Sequence, residues 1–287
     1  MLSILIPTYN YPVAKLVAEL HEQAVRANIE FEIIVIEDGS TEIFPENKEL
    51  ENLPNVRYSV LTQNIGRAAI RNKLADTAQY DNLLFIDCDA AVDNEKYIEN
   101  YLPHLGKNEV AVGGVKYVQR VPRVNVSLRL KYGINREQKI DHFTTFNFLI
   151  PKKTFEKIRF NETINGYGYE DTLFGNELNV QQIPIKYIQN KLIHTGLDGN
   201  IIFLKKAEQG IKNLYALYIS GKYPFLCKTS KILKTFTRIK RLHLITVFCA
   251  FERALHNIIY KNLLGKNPSL FLFDIYKLSM FCKIAKK

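Results

Sequence analysis

The chain of 287 residues contains no tryptophan and only four cysteines. The cysteines, which are Cys88, Cys227, Cys249 and Cys282, lie far apart and form no C-x-x-C pair. This spacing argues against a disulfide framework and against a structural zinc site. We therefore expect reduced thiols in a cytoplasmic protein.

Long apolar runs are also missing. The longest weakly charged run in the C-terminal part, residues 242–251, falls short of the roughly 18 residues that a membrane-spanning helix requires. The chain passes directly into residues 2–7 without a basic segment before them, and their apolar run is too short for a signal peptide. We therefore expect neither a signal peptide nor a spanning helix in these two segments.

Acidic residues are scarce in the C-terminal third. Residues 200–287 contain 17 Lys and Arg but only 3 Asp and Glu, a net charge of +14, while the whole chain carries +10. Residues 1–199 therefore carry a net charge of −4. This asymmetry indicates an anionic partner for the C-terminal segment.

Within this basic segment, Lys and Arg recur at helical spacing among apolar residues, at Lys231, Lys234, Arg238 and Arg241. The pattern predicts basic amphipathic helices that contact an anionic membrane surface peripherally. A helical appendage with a solvated basic face, or an oligomer contact, is the alternative. No motif for nucleic-acid recognition accompanies the charge, so we expect no nucleic-acid partner.

The first 120 residues alternate between strand-like and helix-like patterns. This alternation predicts an α/β fold whose mostly parallel sheet has helices on both faces. The strand-like runs are residues 2–6, 31–36, 56–61, 83–86 and 110–118. The helical patterns are residues 13–27, 67–78 and 95–105.

Polar residues follow three of these strands. They are Pro7-Thr8-Tyr9-Asn10, Glu37-Asp38-Gly39-Ser40 and Asp87-Cys88-Asp89. The carboxyl ends of parallel strands meet at one edge of a sheet, where ligands bind. Asp87 and Asp89 need a counter-charge, which a divalent cation on a diphosphate would supply, because Mg²⁺ sites often combine carboxylates with substrate phosphates. For Asp38, a turn with a helix cap is the alternative interpretation.

These motifs, taken in order with Asn64-Ile65-Gly66-Arg67 and with Gly166-Tyr167-Gly168-Tyr169-Glu170-Asp171, resemble the family 2 glycosyltransferases. The last motif is similar to the G-W-G-x-E-D segment of inverting members and of galactosyltransferase-like relatives. The resemblance covers roughly residues 2–196. It implies the GT-A fold, a Rossmann-like, mostly parallel mixed sheet flanked by helices.

The resemblance also implies an inverting, metal-dependent enzyme that moves a hexosyl or N-acetylhexosaminyl group from a nucleotide sugar, expected to be a UDP-sugar. The acceptor would be a hydroxyl of a glycan or of a lipid-linked oligosaccharide in surface polysaccharide biosynthesis. The enzyme would work in the cytoplasm, peripherally on the inner face of the membrane.

The donor side of the site follows from the same resemblance. Asp38 would accept a hydrogen bond from the uracil N–H, and Tyr9 would stack on the base, with packing as its alternative role. Mn²⁺ or Mg²⁺ would be held by Asp89, by Asp87 on the ribose side, and by His194 as a further ligand. The donor nucleotide would be contacted by Pro7, Thr8, Tyr9, Asp38, Asn64, Arg67 and Asp87.

On the acceptor side, the resemblance assigns the general base to Asp171 and a sugar contact to Glu170, and the exchanged roles stay open. Helix capping by these two acids is compatible with both. Sugar contacts are expected from Asn147, Tyr167, Gly168 and Tyr169. The family more often has tryptophan in this region, so the lack of it indicates a different substrate contact.

We expect a GT-A catalytic domain over residues 1–199 and a basic helical region over 200–287. The nucleotide-binding part would be about 1–115 and the acceptor part about 116–199. Two other functions are compatible with an α/β sheet of this kind. A nucleotidyltransferase should carry a Gly-rich, basic loop after the first strand, where this chain has Pro7-Thr8-Tyr9-Asn10. A non-catalytic, membrane-associated sugar-nucleotide binding module would not need the acidic residues.

Overall fold

The structure is a computed structural model that describes residues 1–118, 124–139, 143–164 and 166–286. The chain forms two units, each made of several segments. The first contains Met1–Val118, Glu137–Ile164 and Glu170–Gly196, and the second contains Gln119–Arg136, Asn165–Tyr169 and Leu197–Lys287. The second unit thus includes three segments that the sequence assigned to the catalytic domain, residues 119–136, 165–169 and 197–199.

The first unit is built on a seven-stranded sheet in the order β3-β2-β1-β4-β8-β6-β9. Its neighbouring strands are parallel, except that β8 runs antiparallel to both β4 and β6. The predicted α/β fold with a mostly parallel sheet is confirmed. The strands are β1 (Leu2–Thr8), β2 (Phe31–Glu37), β3 (Val56–Val60), β4 (Asn82–Ile86), β5 (Ala90–Ala91), β6 (Val110–Val112), β7 (Val115–Lys116), β8 (Asn147–Pro151), β9 (Ile185–Tyr187) and β10 (Leu192–His194).

Helices connect these strands. They are α1 (Ala14–Arg26), α2 (Pro45–Lys48), α3 (Arg67–Thr77), α5 (Lys152–Ile158) and α6 (Glu170–Val180), while α4 (Ser127–Tyr132) belongs to the second unit. Short 3-10 segments cover Glu49–Asn52, Glu99–His104 and Val124–Val126, and a π-helical turn covers Gly133–Glu137. The predicted helix over residues 95–105 is therefore wrong, because Pro103 lacks the N–H that a continuing α-helix needs.

The core on one face of the sheet is rich in phenylalanine. Phe85 of β4 stacks on Phe148 of β8 at 4.9 Å, and Phe160 stacks on Phe174 of α6 at 4.3 Å between ring centroids. Pairs of this kind add about 0.5–1.5 kcal/mol beyond their buried area. The buried cluster also includes Ile70 and Leu74 of α3, so it attaches α3 and α6 to the strands that end at the site.

The run at residues 110–118 forms two strands instead of the one that its composition predicts. β6 joins the large sheet, whereas β7 joins a second sheet in the order β5-β10-β7. Gly113 and Gly114 lie between them, and Gly114 has a φ of +81°. A Cβ at Gly113 would lie 2.1 Å from Oδ1 of Asn147, so only glycine fits this crossing point.

The second unit is helical, as the sequence predicts for residues 200–287. Besides α4 it contains α7 (Asn200–Ile219), α8 (Phe225–Thr229), α9 (Lys231–Arg241), α10 (Ile245–Leu264) and α11 (Leu270–Ala285). Its apolar clusters join α7 to α9 and α11 through Leu214, Leu233 and Phe281, and join α4 to α11 through Leu128 and Phe273. Ser230 and Ser269 cap α9 and α11 by accepting backbone N–H bonds from Leu233 and Leu272.

Among the described residues, no single helix has both the length and the apolar character of a membrane span. Lys231–Arg241 and Ile245–Leu264 reach that composition only when taken together, and they are bent by 118°.

A buried ion pair joins α10 to α11. Glu252 is fully buried, and its Oε2 lies 2.7 Å from Nζ of Lys283, while Oε1 lies 2.9 Å from Nδ1 of His256. Burial alone would raise the pKa of the Glu252 carboxyl, but hydrogen bonds from Lys283 and His256 outweigh burial and lower that pKa. The carboxylate is therefore charged in the folded unit.

Lys283→Met should destabilise the protein by about 1–3 kcal/mol at neutral pH, because it removes the ammonium group that offsets the buried Glu252 carboxylate. The figure is below that for a fully buried pair because Lys283 is partly exposed. Since the folded pKa of Glu252 is lowered, its contribution is present above the unfolded pKa and is lost as the pH falls through the folded pKa. Urea denaturation at pH 7 and at pH 4 measures both effects.

Lys286→Met is the matched control, since Lys286 is exposed on the same C-terminal turn. An equal loss of stability in both variants would contradict the role assigned to the ion pair.

Candidate active site

Three parallel neighbours in the sheet, β2, β1 and β4, end at the same edge. Thr8 closes β1 opposite Glu37 of β2, and Asp87 follows the last residue of β4. The three polar segments therefore meet at one edge of the first unit. The topology supplies the shared location that the sequence predicts for them.

Asp38 is nearly buried and holds a loop in place. Its Oδ1 accepts the backbone N–H of Ile65 at 2.7 Å, and its Oδ2 accepts that of Gly66 at 3.0 Å. Gly66 has a φ of +91° and immediately precedes α3. Asp38 thus fixes the start of α3, a role that the turn chemistry alone did not reveal. Each carboxylate oxygen can accept a further bond, so the uracil contact stays a prediction.

The segment after β1 offers a flat, accessible ring. Tyr9 is 46% exposed, whereas Thr8 is buried and Pro7 is half-buried. Asn10 turns the chain by accepting N–H bonds from Thr41 and Glu42 at 2.8 and 3.0 Å. The exposed face of Tyr9 is compatible with stacking on a base.

Acidic and basic side chains alternate along this edge of the sheet. Arg71 is 2% exposed in its side chain, and its Nη2 bonds Oδ1 of Asp87 at 2.5 Å. Arg67 lies one turn earlier, with its Nε 3.3 Å from Oε1 of Glu170 and its Nη2 3.9 Å from Oδ2 of Asp87. The arginine pair therefore connects α3 to the end of β4 and to the start of α6.

Asp87 has a counter-charge within the protein. The sequence predicts a cation that offsets two neighbouring carboxylates, and Arg71 already supplies a positive charge to one of them. Asp87 and Asp89 consequently have different surroundings. Cys88 lies between them, and burial together with the adjacent Asp89 and Asp87 raises the pKa of its thiol, which therefore stays protonated.

Asp89 meets His194 through the small sheet. Ala90 pairs with His194 in the antiparallel β5–β10 ladder, and Nε2 of His194 lies 3.5 Å from Oδ2 of Asp89. The imidazole stacks on the rings of Phe146 and Tyr117, both at 5.3 Å between centroids. Packing thus fixes the plane of the imidazole beside the carboxylate.

The two residues that follow His194 also lie against Asp89. Thr195 donates its backbone N–H to the Asp89 carbonyl at 2.8 Å, and its hydroxyl also bonds the hydroxyl of Tyr11 at 2.9 Å. At Gly196, a Cβ would lie 2.5 Å from Oδ2 of Asp89, so the carboxylate requires a glycine there. The motif His194-Thr195-Gly196 was the available signal, but only the histidine had been assigned a role.

The carboxylate and imidazole of this corner are oxygen and nitrogen donors of the kind that Mn²⁺ accepts. Within the described residues, no group of three or more His, Cys, Asp and Glu could hold a metal ion. Asp89 and His194 alone are therefore an incomplete ligand set, and a cation beside them would need further ligands from outside the chain.

Glu170 and Asp171 begin α6, where acidic residues are favoured by the helix dipole. Glu170 is buried beside Arg67, and its Oε2 has no hydrogen-bond partner among the described residues. Asp171 is half-buried, and its Oδ1 accepts the backbone N–H of Thr172 at 2.7 Å. The two neighbouring carboxylates therefore differ in access.

Asn147 does not have the position that the sequence assigned to it. Its side chain is fully buried, its Oδ1 accepts the hydroxyls of Tyr97 and Tyr101, and its Nδ2 donates to the Gly114 carbonyl. The amide is thus part of the core where β8 meets the glycine crossing. The prediction of a direct sugar contact was wrong, because an apolar strand with one polar residue does not reveal which face that residue occupies.

Tyr167, Gly168 and Tyr169 belong to the second unit. The Tyr167 carbonyl accepts a bond from Nδ2 of Asn213 at 3.1 Å, and Tyr169 packs against the apolar cluster of α7, α9 and α11. Gly168 has a φ of +99°. Their sugar contacts stay predictions. Asn64 and Arg67, in contrast, lie in the loop and first turn that Asp38 fixes.

The sequence of the chain is similar to those of known glycosyltransferases. Residues 3–165 match the sequence model described as Glycosyl transferase family 2. The chondroitin synthase of Escherichia coli is 25% identical over 293 residues, which is 86% of this chain and 42% of that protein. The hyaluronan synthase of Pasteurella multocida is 31% identical over 121 residues, which is 41% of this chain and 12% of that protein. The chain thus spans less than half the length of these curated relatives.

Solved structures show the same fold. A mannosyltransferase from Pyrobaculum calidifontis, in complex with GDP-Man and Mn²⁺, aligns over 100% of this chain and 88% of its own, with a TM-score of 0.60 and 14% identity. Residues 1–349 of TarS from S. aureus, in complex with UDP-GlcNAc, align over 99% and 90% with a TM-score of 0.53 and 17% identity. The fold of the chain is GT-A.

Arg71→Met should destabilise the protein by about 3 kcal/mol, because it leaves the Asp87 carboxylate in a poorly solvated position without its main partner. Adding Asp87→Asn to Arg71→Met should recover part of that loss, since the orphaned charge is then removed. A double-mutant cycle by urea denaturation measures the coupling. Additive effects of the two substitutions would contradict a direct interaction.

Proposed function

Because the chain belongs to glycosyl transferase family 2, we propose that it is an inverting glycosyltransferase that uses a UDP-sugar donor and a divalent cation. The observation that carries this proposal is the arrangement at the carboxyl ends of β1, β2 and β4. Asp89 beside His194 and Asp87 between two arginines lie at one edge, with Glu170 and Asp171 beginning the adjoining helix α6.

The donor half of the proposal rests on Tyr9, Asp38 and Arg67. Tyr9 presents an exposed ring for the base, and Asp38 retains acceptor capacity for the uracil N–H. Arg67 lies in the first turn of α3, where a guanidinium suits recognition of a diphosphate. TarS, in complex with UDP-GlcNAc, and the mannosyltransferase, in complex with GDP-Man, give precedents for nucleotide sugars on this fold.

Asp89 and His194 are the residues that would hold Mn²⁺ or Mg²⁺. A bound cation supplies Lewis-acid stabilisation of the diphosphate that leaves the sugar. Asp87 is expected on the ribose side, since its carboxylate is already bonded by Arg71. The division between the two carboxylates follows from their different neighbours.

Asp171 is the general base of this proposal. In an inverting transfer the acceptor hydroxyl attacks the anomeric carbon opposite the leaving diphosphate, and a carboxylate within hydrogen-bond reach takes the hydroxyl proton. Glu170 is buried and ion-paired with Arg67, whereas Asp171 is more accessible on the same turn. Glu170 is therefore assigned the sugar contact and not the base.

The acceptor of this proposal is a sugar hydroxyl on a growing glycan. The relatives named as chondroitin and hyaluronan synthases support a polysaccharide product class. A nucleotidyltransferase is not favoured, because no basic glycine-rich loop follows β1.

The donor is tested by a thermal-shift screen of nucleotide sugars with and without Mn²⁺. A ligand at a hundred times its Kd stabilises the folded protein by about 2.7 kcal/mol, so the correct donor should raise Tm clearly. Asp89→Asn should abolish the Mn²⁺-dependent part of that rise and reduce transfer by at least about a hundredfold.

Asp81→Asn is the matched control, because Asp81 is exposed at the opposite end of β4 and should leave both readouts unchanged. Undiminished transfer by Asp89→Asn would refute the metal assignment.

Asp171→Asn should reduce transfer by at least about a hundredfold while leaving the UDP-induced rise in Tm intact, since it removes the proton acceptor but not the donor contacts. Glu177→Gln, on the same helix, is the control. Normal turnover by Asp171→Asn together with an inactive Glu170→Gln would move the base to Glu170.

A further inference from the structure

One long stretch of the second unit is almost free of acidic residues. Residues 209–273 contain eleven Lys and Arg and a single acidic residue, Glu252. That carboxylate is fully buried and bonded to Lys283 and His256. A long stretch of described chain therefore presents no carboxylate side chain to solvent.

An exposed apolar stripe lies within this stretch. Leu244 precedes α10, and Val247, Phe251 and Ile258 follow at spacings of three, four and seven residues, which place all four on one helical face. They are 44%, 62%, 57% and 65% exposed. Ala250 and Ala254 are exposed on the same face, so the stripe has no polar interruption.

The opposite face of α10 is already used. Cys249, Ile259 and Leu263 are buried and belong to the apolar clusters of the second unit. The exposed stripe is thus additional to the face that stabilises the unit. Leu244 to Ile258 extends for roughly 20 Å at the α-helical rise of about 1.5 Å per residue.

Basic residues bracket the stripe. Lys240 and Arg241, at the end of α9, precede Leu244 by four and three residues, Lys261 follows Ile258 by three residues, and all three are exposed. An apolar face with basic residues beside it is the composition of helices that lie in the interface of an anionic bilayer. Each Lys or Arg near such a surface strengthens binding about fivefold.

We propose that the α10 stripe, formed by Leu244, Val247, Phe251 and Ile258, is a peripheral docking surface for an anionic lipid bilayer. Lys240, Arg241 and Lys261 meet the headgroups while the four apolar side chains enter the interface. A second copy of the chain fits this surface poorly, because two basic faces repel each other. Nucleic acid fits poorly as well, since three of the four side chains are aliphatic and cannot stack on bases.

The absence of tryptophan from the chain provides a direct probe. Phe251→Trp places a single tryptophan on the stripe, and Ile202→Trp places one at an equally accessible site on α7 of the same unit. Vesicles of phosphatidylcholine and phosphatidylglycerol should shift the emission of the full chain carrying Phe251→Trp to shorter wavelength. The emission of the Ile202→Trp variant should not change.

Co-sedimentation with the same vesicles gives the second measurement. Phe251→Ser combined with Ile258→Ser should weaken binding at least about tenfold, from the apolar area removed. Lys240→Gln with Arg241→Gln should also weaken it at least about tenfold, as should raising the salt from about 0.1 M to about 1 M. Ile201→Ser with Ile202→Ser is the matched control and should bind as the unaltered chain does.

Three results would overturn the proposal. One is an unchanged Phe251→Trp emission or an equal shift in both tryptophan variants. Another is a shift that depends on protein concentration in the absence of vesicles, which would identify a second copy as the occupant. The third is vesicle binding that survives Phe251→Ser/Ile258→Ser and is displaced by single-stranded RNA, which would identify a general polyanion surface.

Discussion

The ion pair between the buried Arg71 and the partly buried Asp87 is the interaction on which the candidate site depends. A carboxylate at the end of a buried strand is expensive to desolvate unless a charged donor meets it. Arg71 lies in the middle of α3, and the start of α3 is fixed by the Asp38 carboxylate. The strand β4, the helix α3 and the loop before it are thus held by two carboxylates that follow β2 and β4, the strands on either side of β1.

This arrangement separates two acidic residues that look equivalent in the sequence. Asp87 faces arginines, whereas Asp89 turns into the corner formed by β5 and β10, beside His194. Gly196 permits that turn because any side chain would overlap the Asp89 carboxylate. Arg71 places a fixed positive charge beside Asp87, whereas an imidazole lies beside Asp89. The two carboxylates of Asp87-Cys88-Asp89 therefore have different chemical surroundings.

Much of the sheet was predictable because a strand covered on both faces is mostly apolar, as β1, β2 and β4 are. The shared edge also followed from parallel order. The role of Asn147 did not, because its partners Tyr97 and Tyr101 lie about 50 residues away in sequence and no local pattern announces them. Likewise, the backbone of Gly113 lies so close to the Asn147 side chain that only glycine fits between β6 and β7. The periodicity of the sequence does not predict this contact.

The hydrogen bonds and ion pairs of the second unit explain why its few acidic residues leave an excess of positive charge at the surface. All three acidic residues of 200–287 have partners inside the second unit: Glu208 bonds Tyr276, Glu252 bonds Lys283 and Asp274 bonds Arg136. None of these carboxylates therefore neutralises the exposed basic residues of α9 and α10. Because like charges on a compact unit repel, such an excess destabilises it unless an anionic surface compensates. The apolar stripe beside that charge restricts which surface can do so.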